Sequence, residues 1–168
     1  MRIRGLFCLF TVSLVLMMSS SAQAQDMGQS SGRNVADMKF TMIPPLPTCA
    51  VASVQSGNPA TGPSIILAKA PAGCSIPWHW HTPNENVMLV SGLGRMDMKG
   101  GKPLTLRAGA FAMMASHDIH QFTCLRACQL YIYSDVAFDI HYVNKDGNEI
   151  TPDEALKAVK EKVATEMK

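Results

Sequence analysis

The chain has 168 residues, enough for one domain with its own core, and 47% of them are hydrophobic. Fifteen basic residues against thirteen acidic ones give a formal charge of +2, and Arg2 and Arg4 at the extreme N-terminus account for that excess. No basic run remains beyond them, which excludes nucleic acid and acidic membrane surfaces as favoured partners.

The first element is a leader. "MRIR" is a short basic start, "GLFCLFTVSLVLMM" is an apolar run, and "SSSAQAQ" places small residues at Ala22 and Ala24. That order predicts a secretory signal peptide over residues 1–24, cut after Ala24. The apolar run falls short of the ~20 residues that span a bilayer, so a retained anchor is disfavoured. The mature chain is expected to start at Gln25, in the periplasm or outside the cell, with no stable membrane association after cleavage. Residues 25–44 read as a flexible N-terminal segment: polar and glycine-rich up to Met38, then stiffened by the "IPPLP" run that begins at Ile43.

Residues 45–150 carry the candidate barrel domain. Short apolar runs follow one another: "CAVASVQ", "SIILAKA", "WHWH", "NVMLV", "GRMDMK", "LTLRA", "FAMMA", "HQFTC", "QLYIYS" and "DIHYV". Turn residues separate them, with "SGLGR" at residues 91–95 reading as a hairpin turn. Many short strands at close spacing predict an all-β antiparallel sandwich or barrel.

Within this domain, "GCSIPWHWHTPNENVMLVSG" concentrates unusual chemistry. Residues two apart on a strand share a face, so His79 and His81 aim together while Trp78 and Trp80 aim the other way. Pro83 and Asn84 turn the chain, and Glu85 opens the next strand beside the histidines. Two imidazoles and a carboxylate make a borderline nitrogen and oxygen donor set for a metal. Read from Gly73 to Gly92, the spacing resembles the first signature motif of the cupin superfamily at every defining position. "GAFAMMASHDIHQFTC" is similar to the second motif, with His120 in place and Ala115, His117 and Cys124 departing from the usual pattern.

The resemblance implies a jelly-roll barrel (double-stranded β-helix). It also implies one divalent transition metal held by His79, His81, Glu85 and His120, with open coordination positions. Manganese, iron, nickel, zinc and copper all occur in similar cupins, and the sequence does not choose among them.

Other residues invite weighing. His117, three residues before His120, is a candidate general base or additional ligand at the barrel mouth, or else a solvated loop residue. Met88, Met96, Met98, Met113 and Met114 suggest core filling more than soft-metal ligation. Either Met113 or Met114 is expected as a pocket wall, with Phe111, Phe122, Tyr131 and Tyr133 adding apolar lining. His141 reads as structural.

Four cysteines remain after the leader, and an even count in an exported chain points to disulfides. "CLRAC" predicts a hairpin with Leu125 to Ala127 as its turn, setting Cys124 opposite Cys128. Cys49 and Cys74 are then the second pair. The competing reading makes Cys124 a free thiol beside the metal.

A helix is expected over residues 151–168. Thr151 is its N-cap, Pro152 occupies the first helical position, and Glu154 completes a capping box. Leu156, Val159, Val163 and Met167 form a stripe that seats on the barrel or on a second copy in a homodimer. The function implied is that of a metal-dependent enzyme, a dioxygenase, isomerase or lyase, acting on a small organic substrate. The alternative is a non-catalytic binder of a metal or small ligand.

Overall fold

The computed structural model describes residues 30–158. The expected signal peptide and its cleavage site, and Val159, Val163 and Met167 of the C-terminal stripe, lie outside those residues. The chain divides into two compact units, one ending at Arg33 and one starting at Asn34. Everything below concerns the second.

That unit is an antiparallel β-barrel of the jelly-roll type, built from eight strands. They are β1 (Val51–Gly57), β2 (Ser64–Ala70), β3 (Ser75–Trp80), β4 (Glu85–Met98), β5 (Leu104–Arg107), β6 (Phe111–Met114), β7 (His120–Ser134) and β8 (His141–Tyr142). Hydrogen bonding joins them in the order β1-β2-β7-β3-β8, and β4 pairs with β5, β6 and β7. A short helix opens at residue 152. Its capping box forms as the sequence suggests: the Thr151 amide donates to Glu154 Oε2 at 2.9 Å, and the Glu154 amide donates to Thr151 Oγ1 at 3.3 Å.

Two expected turns are corrected. "SGLGR" is not a hairpin, because β4 runs through it as one 14-residue strand. The pairing with β7 slips between Leu89 and Gly94, which bends the strand without ending it. The glycines serve that bend. Gly92 has a φ of 93°, and Gly94 lies so close to Phe122 that a Cβ there would meet the ring at 2.5 Å.

"CLRAC" is not a hairpin turn either. Cys124, Arg126 and Gln129 pair with the same partner strand, at Gly94, Leu93 and Ser91, so β7 is continuous and takes up its extra residues as a bulge between Cys124 and Gln129. The first part of β7 pairs with β3 and the last part with β2. This one strand therefore turns the corner between the two faces of the barrel. The structure joins Cys124 to Cys128 across the bulge and Cys49 to Cys74, each with Cα atoms 5.8 Å apart.

Inside the barrel, Val87, Leu89, Met96, Leu106, Met114, Phe122 and Leu130 pack as a continuous apolar cluster. The outer face carries apolar residues as well. Phe111 is 62% exposed and Met113 53%, and Met88 and Tyr133 also face out. The expectation that Phe111 and Tyr133 line a pocket is therefore corrected. By register, Phe111 stands beside Met88 and Tyr131, and Met113 beside Asn86 and Tyr133, on the outer side of the sheet. Of the methionines, Met96 and Met114 are buried in the core.

Candidate metal centre

The strand pattern needs one adjustment to place both histidines inside. Ile76 pairs with Phe122 and His79 with His120, so β3 takes three steps where β7 takes two. The extra residue falls at Pro77–Trp78. Proline has no amide hydrogen to give to a ladder, and a bulge is where a strand tolerates it. The bulge restores His79 to the interior, and His81 follows two residues on. Trp80 faces outward, stacked between His141 (3.9 Å between centroids) and His117 (4.4 Å).

Glu85 begins β4 and His120 begins β7. The four side chains are buried and meet at one end of the barrel. One donor atom from each lies within 4.8 Å of all the others. His120 Nε2 is 3.1 Å from Glu85 Oε2, and His81 Nε2 is 3.5 Å from the same oxygen, beyond a good hydrogen bond. Among the described residues, His81 Nε2 is the buried side-chain polar atom left without a hydrogen-bond partner.

The backs of the rings explain their aim. The Nδ1 atoms of His79, His81 and His120 face the backbone carbonyls of Pro77 (2.6 Å), Asp139 (2.5 Å) and Asp118 (2.8 Å). A carbonyl only accepts, so each Nδ1 carries a proton, and an imidazole held this way presents a bare Nε2 whenever it is neutral. Three such lone pairs around a buried carboxylate repel one another unless a cation joins them. The donor set fits a divalent metal on that ground, with positions left for a substrate or water.

Electrostatics agree. Burial, then the neighbouring His120 and His81, push His79 well below the ordinary imidazole value, which keeps it neutral. Burial acts to raise the Glu85 carboxyl, but His120 and His81, whose Nε2 atoms lie 3.1 and 3.5 Å from it, outweigh burial and hold the group well below the usual carboxylate range. Burial acts to lower His81, and Glu85 with the Asp139 carbonyl more than reverses it, so His81 titrates above its ordinary value.

These donors sit at one end of a cavity of about 370 Å³, within the size range of small-molecule sites. Its walls are apolar: Ile66 and Ala68 from β2, Ile76 from β3, Phe122 and Ile132 from β7, and Pro45 from the approach segment. His117 does not line it. Its φ of 64° and a hydrogen bond from its amide to the His81 carbonyl turn the ring onto the far side of Trp80. The geometry thus does not bring His117 to the four donors, as a general base or additional ligand at the barrel mouth would require. Cys124 does line the cavity but is paired with Cys128. Sequence reasoning missed Phe138 and Asp139, which cover His81. They lie 57 and 58 residues away in a loop without periodicity or motif.

A β-barrel with three imidazoles and one carboxylate at the end of an apolar cavity defines a metal-binding barrel protein. Residues 66–132, which contain all four donors, match the family described as Cupin domain. No curated protein matches the chain in sequence.

Solved structures share the fold. A putative acetylacetone dioxygenase from Methylibium petroleiphilum PM1 is 19% identical with a TM-score of 0.59, covering 76% of this chain and 90% of that one. An acetylacetone dioxygenase from Acinetobacter johnsonii is 18% identical with a TM-score of 0.57, covering 82% and 96%. A polyketide cyclase from Streptomyces resistomycificus is 12% identical with a TM-score of 0.58, covering 71% and 90%. The activities in these names differ, so the shared fold does not choose a reaction.

Proposed function

We propose that this is an exported cupin in which His79, His81, Glu85 and His120 hold one divalent transition metal, and that it acts as a metal-dependent enzyme on a small apolar organic molecule. The observation that carries the reading is the placement of four buried donors at the end of an otherwise apolar cavity. The metal would supply Lewis-acid or redox chemistry to a substrate oxygen.

The chain's own residues do the rest. The apolar walls select a hydrophobic body and exclude water. The buried ligands present the metal from one side and leave the cavity side for substrate. Apart from the four donors, the ionisable residues lining the cavity are Lys69 and Asp139. The Lys69 ammonium lies 3.7 Å from the centre of the Phe40 ring, and the Asp139 carboxylate is engaged by Thr82. That set lacks a free acid–base pair and disfavours hydrolysis. The activities named for the structural neighbours, dioxygenation and cyclisation, are of the kind this chemistry supports. Export with cleavage after Ala24 and oxidised cysteines in the mature chain belong to the same reading.

The test is metal analysis of exported protein purified without a histidine tag, beside the His79→Ala/His81→Ala double variant. The expected result is one metal per wild-type chain and none in the variant, with an intact mass that starts at Gln25 and carries two disulfides. Stoichiometric metal in the double variant would overturn the ligand assignment. Metal without turnover of any apolar oxygen-bearing substrate would favour the binding-protein alternative.

A further inference from the structure

We propose that Asp139 is a positioning residue for the metal ligand His81, and that it ties the metal site to the cavity wall; this rests on the metal reading above. The three histidines are not held alike. His79 and His120 each take their Nδ1 acceptor from the residue two positions earlier, so the chain immediately before the ring also sets its angle. His81 stands one residue beyond the end of β3, and its acceptor comes from 58 residues away.

Asp139 grips this stretch at two points. Its backbone carbonyl takes the His81 Nδ1 proton at 2.5 Å. Its carboxylate accepts from the amide of the next residue, Thr82, at 2.7 Å and from the Thr82 hydroxyl at 2.5 Å. His141 Nε2 lies 3.3 Å from the same carboxylate. Burial acts to raise the Asp139 carboxyl, and the bonds from Thr82 with the neighbouring His141 together outweigh it, so the group lies below its ordinary value. Phe138 adds a third hold by stacking on the His81 ring, with centroids 4.3 Å apart and planes 25° apart. The segment is moored upstream, where the Phe138 amide donates to the Pro59 carbonyl at 2.7 Å.

Two consequences follow for the site. The ring whose Nε2 has no hydrogen-bond partner is the one whose aim depends on a remote residue. Phe138, Asp139 and Ile140 also line the cavity, so a molecule pressed against that wall bears on the clasp that orients His81. Hydrogen bonds behind a metal-bound imidazole fix its tautomer and direction, and losing one typically weakens metal binding by about 10–100-fold.

The experiment titrates metal-free protein with Co²⁺ and records both affinity and the visible absorption, which reports ligand number and geometry. Asp139→Ala is expected to bind about 10–100-fold more weakly than wild type, with an altered spectrum. Asp139→Asn keeps an oxygen for the Thr82 amide and gains an N–H for the Thr82 hydroxyl, so it should restore the wild-type spectrum and most of the affinity. Thr82→Val removes one arm of the clasp and should fall between. A destabilised fold alone would not move the spectrum of the folded fraction or respond to the asparagine.

Wild-type affinity and spectrum in Asp139→Ala would overturn the inference and leave the metal reading standing. If Asp139→Ala does not fold, Thr82→Val decides, and an unchanged spectrum and affinity there would overturn it equally. A wild-type chain that binds no Co²⁺ would sink the metal reading, and this inference with it.

Discussion

At the scale of the residue, each ligand imidazole faces two ways, with an Nδ1 proton committed to a carbonyl and Nε2 turned to the shared cluster. The three side chains with shifted acidity differ in what a metal must displace. Glu85 is already ionised across the physiological range and His79 is already neutral. His81, raised above 6.5, holds a proton that the metal has to remove. Affinity should therefore fall as the solution is acidified below the His81 value, by up to about tenfold per pH unit for one proton released. It should level off above that value. Competition titrations from pH 5.5 to 8.5 check this, and a flat profile would show that His81 is not the proton donor. The four ligands themselves were legible, because ligand spacing along two strands is a sequence property. Asp139 was not, because its role depends on a loop returning to His81. The side of Trp80 on which His117 lies was equally hidden, since it depends on one backbone angle.

At the scale of the element, β4 and β7 are the two long strands, and each is bent where the other is. The strand runs were visible as apolar segments, but the glycines and cysteines between them read as turns. Composition reports that a backbone departs from regular geometry, and both a hairpin and a bulge require that. Only pairing partners separate the two, and those are long-range. Gly92 and Gly94 are therefore predicted to matter through close approach. A Cβ on Gly92 would lie 2.0 Å from the Ala127 carbonyl oxygen, at a φ of 93° that an L side chain rarely adopts. Gly92→Ala should cost at least about 1–3 kcal/mol, the usual range for a backbone strain of this kind. Gly94→Ala meets a side-chain ring that borders the cavity rather than backbone, so its cost should be smaller and should come with a reshaped Phe122 wall. Urea unfolding of both variants measures this, and wild-type midpoints would refute the tight approach of β4 to β7.

At the scale of the whole molecule, the barrel is closed by its motif-bearing strands at the metal end and lined by small residues along β1 and β2. Ala50, Ala52, Ala68 and Ala70 all face the cavity. The motifs disclosed the fold class and the metal end. They carried no information on this lining, because an alanine on a strand reads the same whether it faces a cavity or a packed core. Enlarging one of them separates the two cases by sign. In a filled core, Ala68→Leu would overpack and cost about 1–3 kcal/mol. In an open apolar cavity, the added carbons are buried without displacing neighbours, and each buried CH₂ contributes about 0.8 kcal/mol of stability. The prediction is that Ala68→Leu raises the unfolding midpoint or leaves it unchanged. Metal content should not change, because β2 carries no ligand. Binding of a benzene-sized apolar probe, read as a ligand-induced rise in the unfolding temperature, should be lost. A destabilised Ala68→Leu variant that still binds the probe would mean that small molecules do not occupy this cavity, and the substrate class proposed above would have to be abandoned.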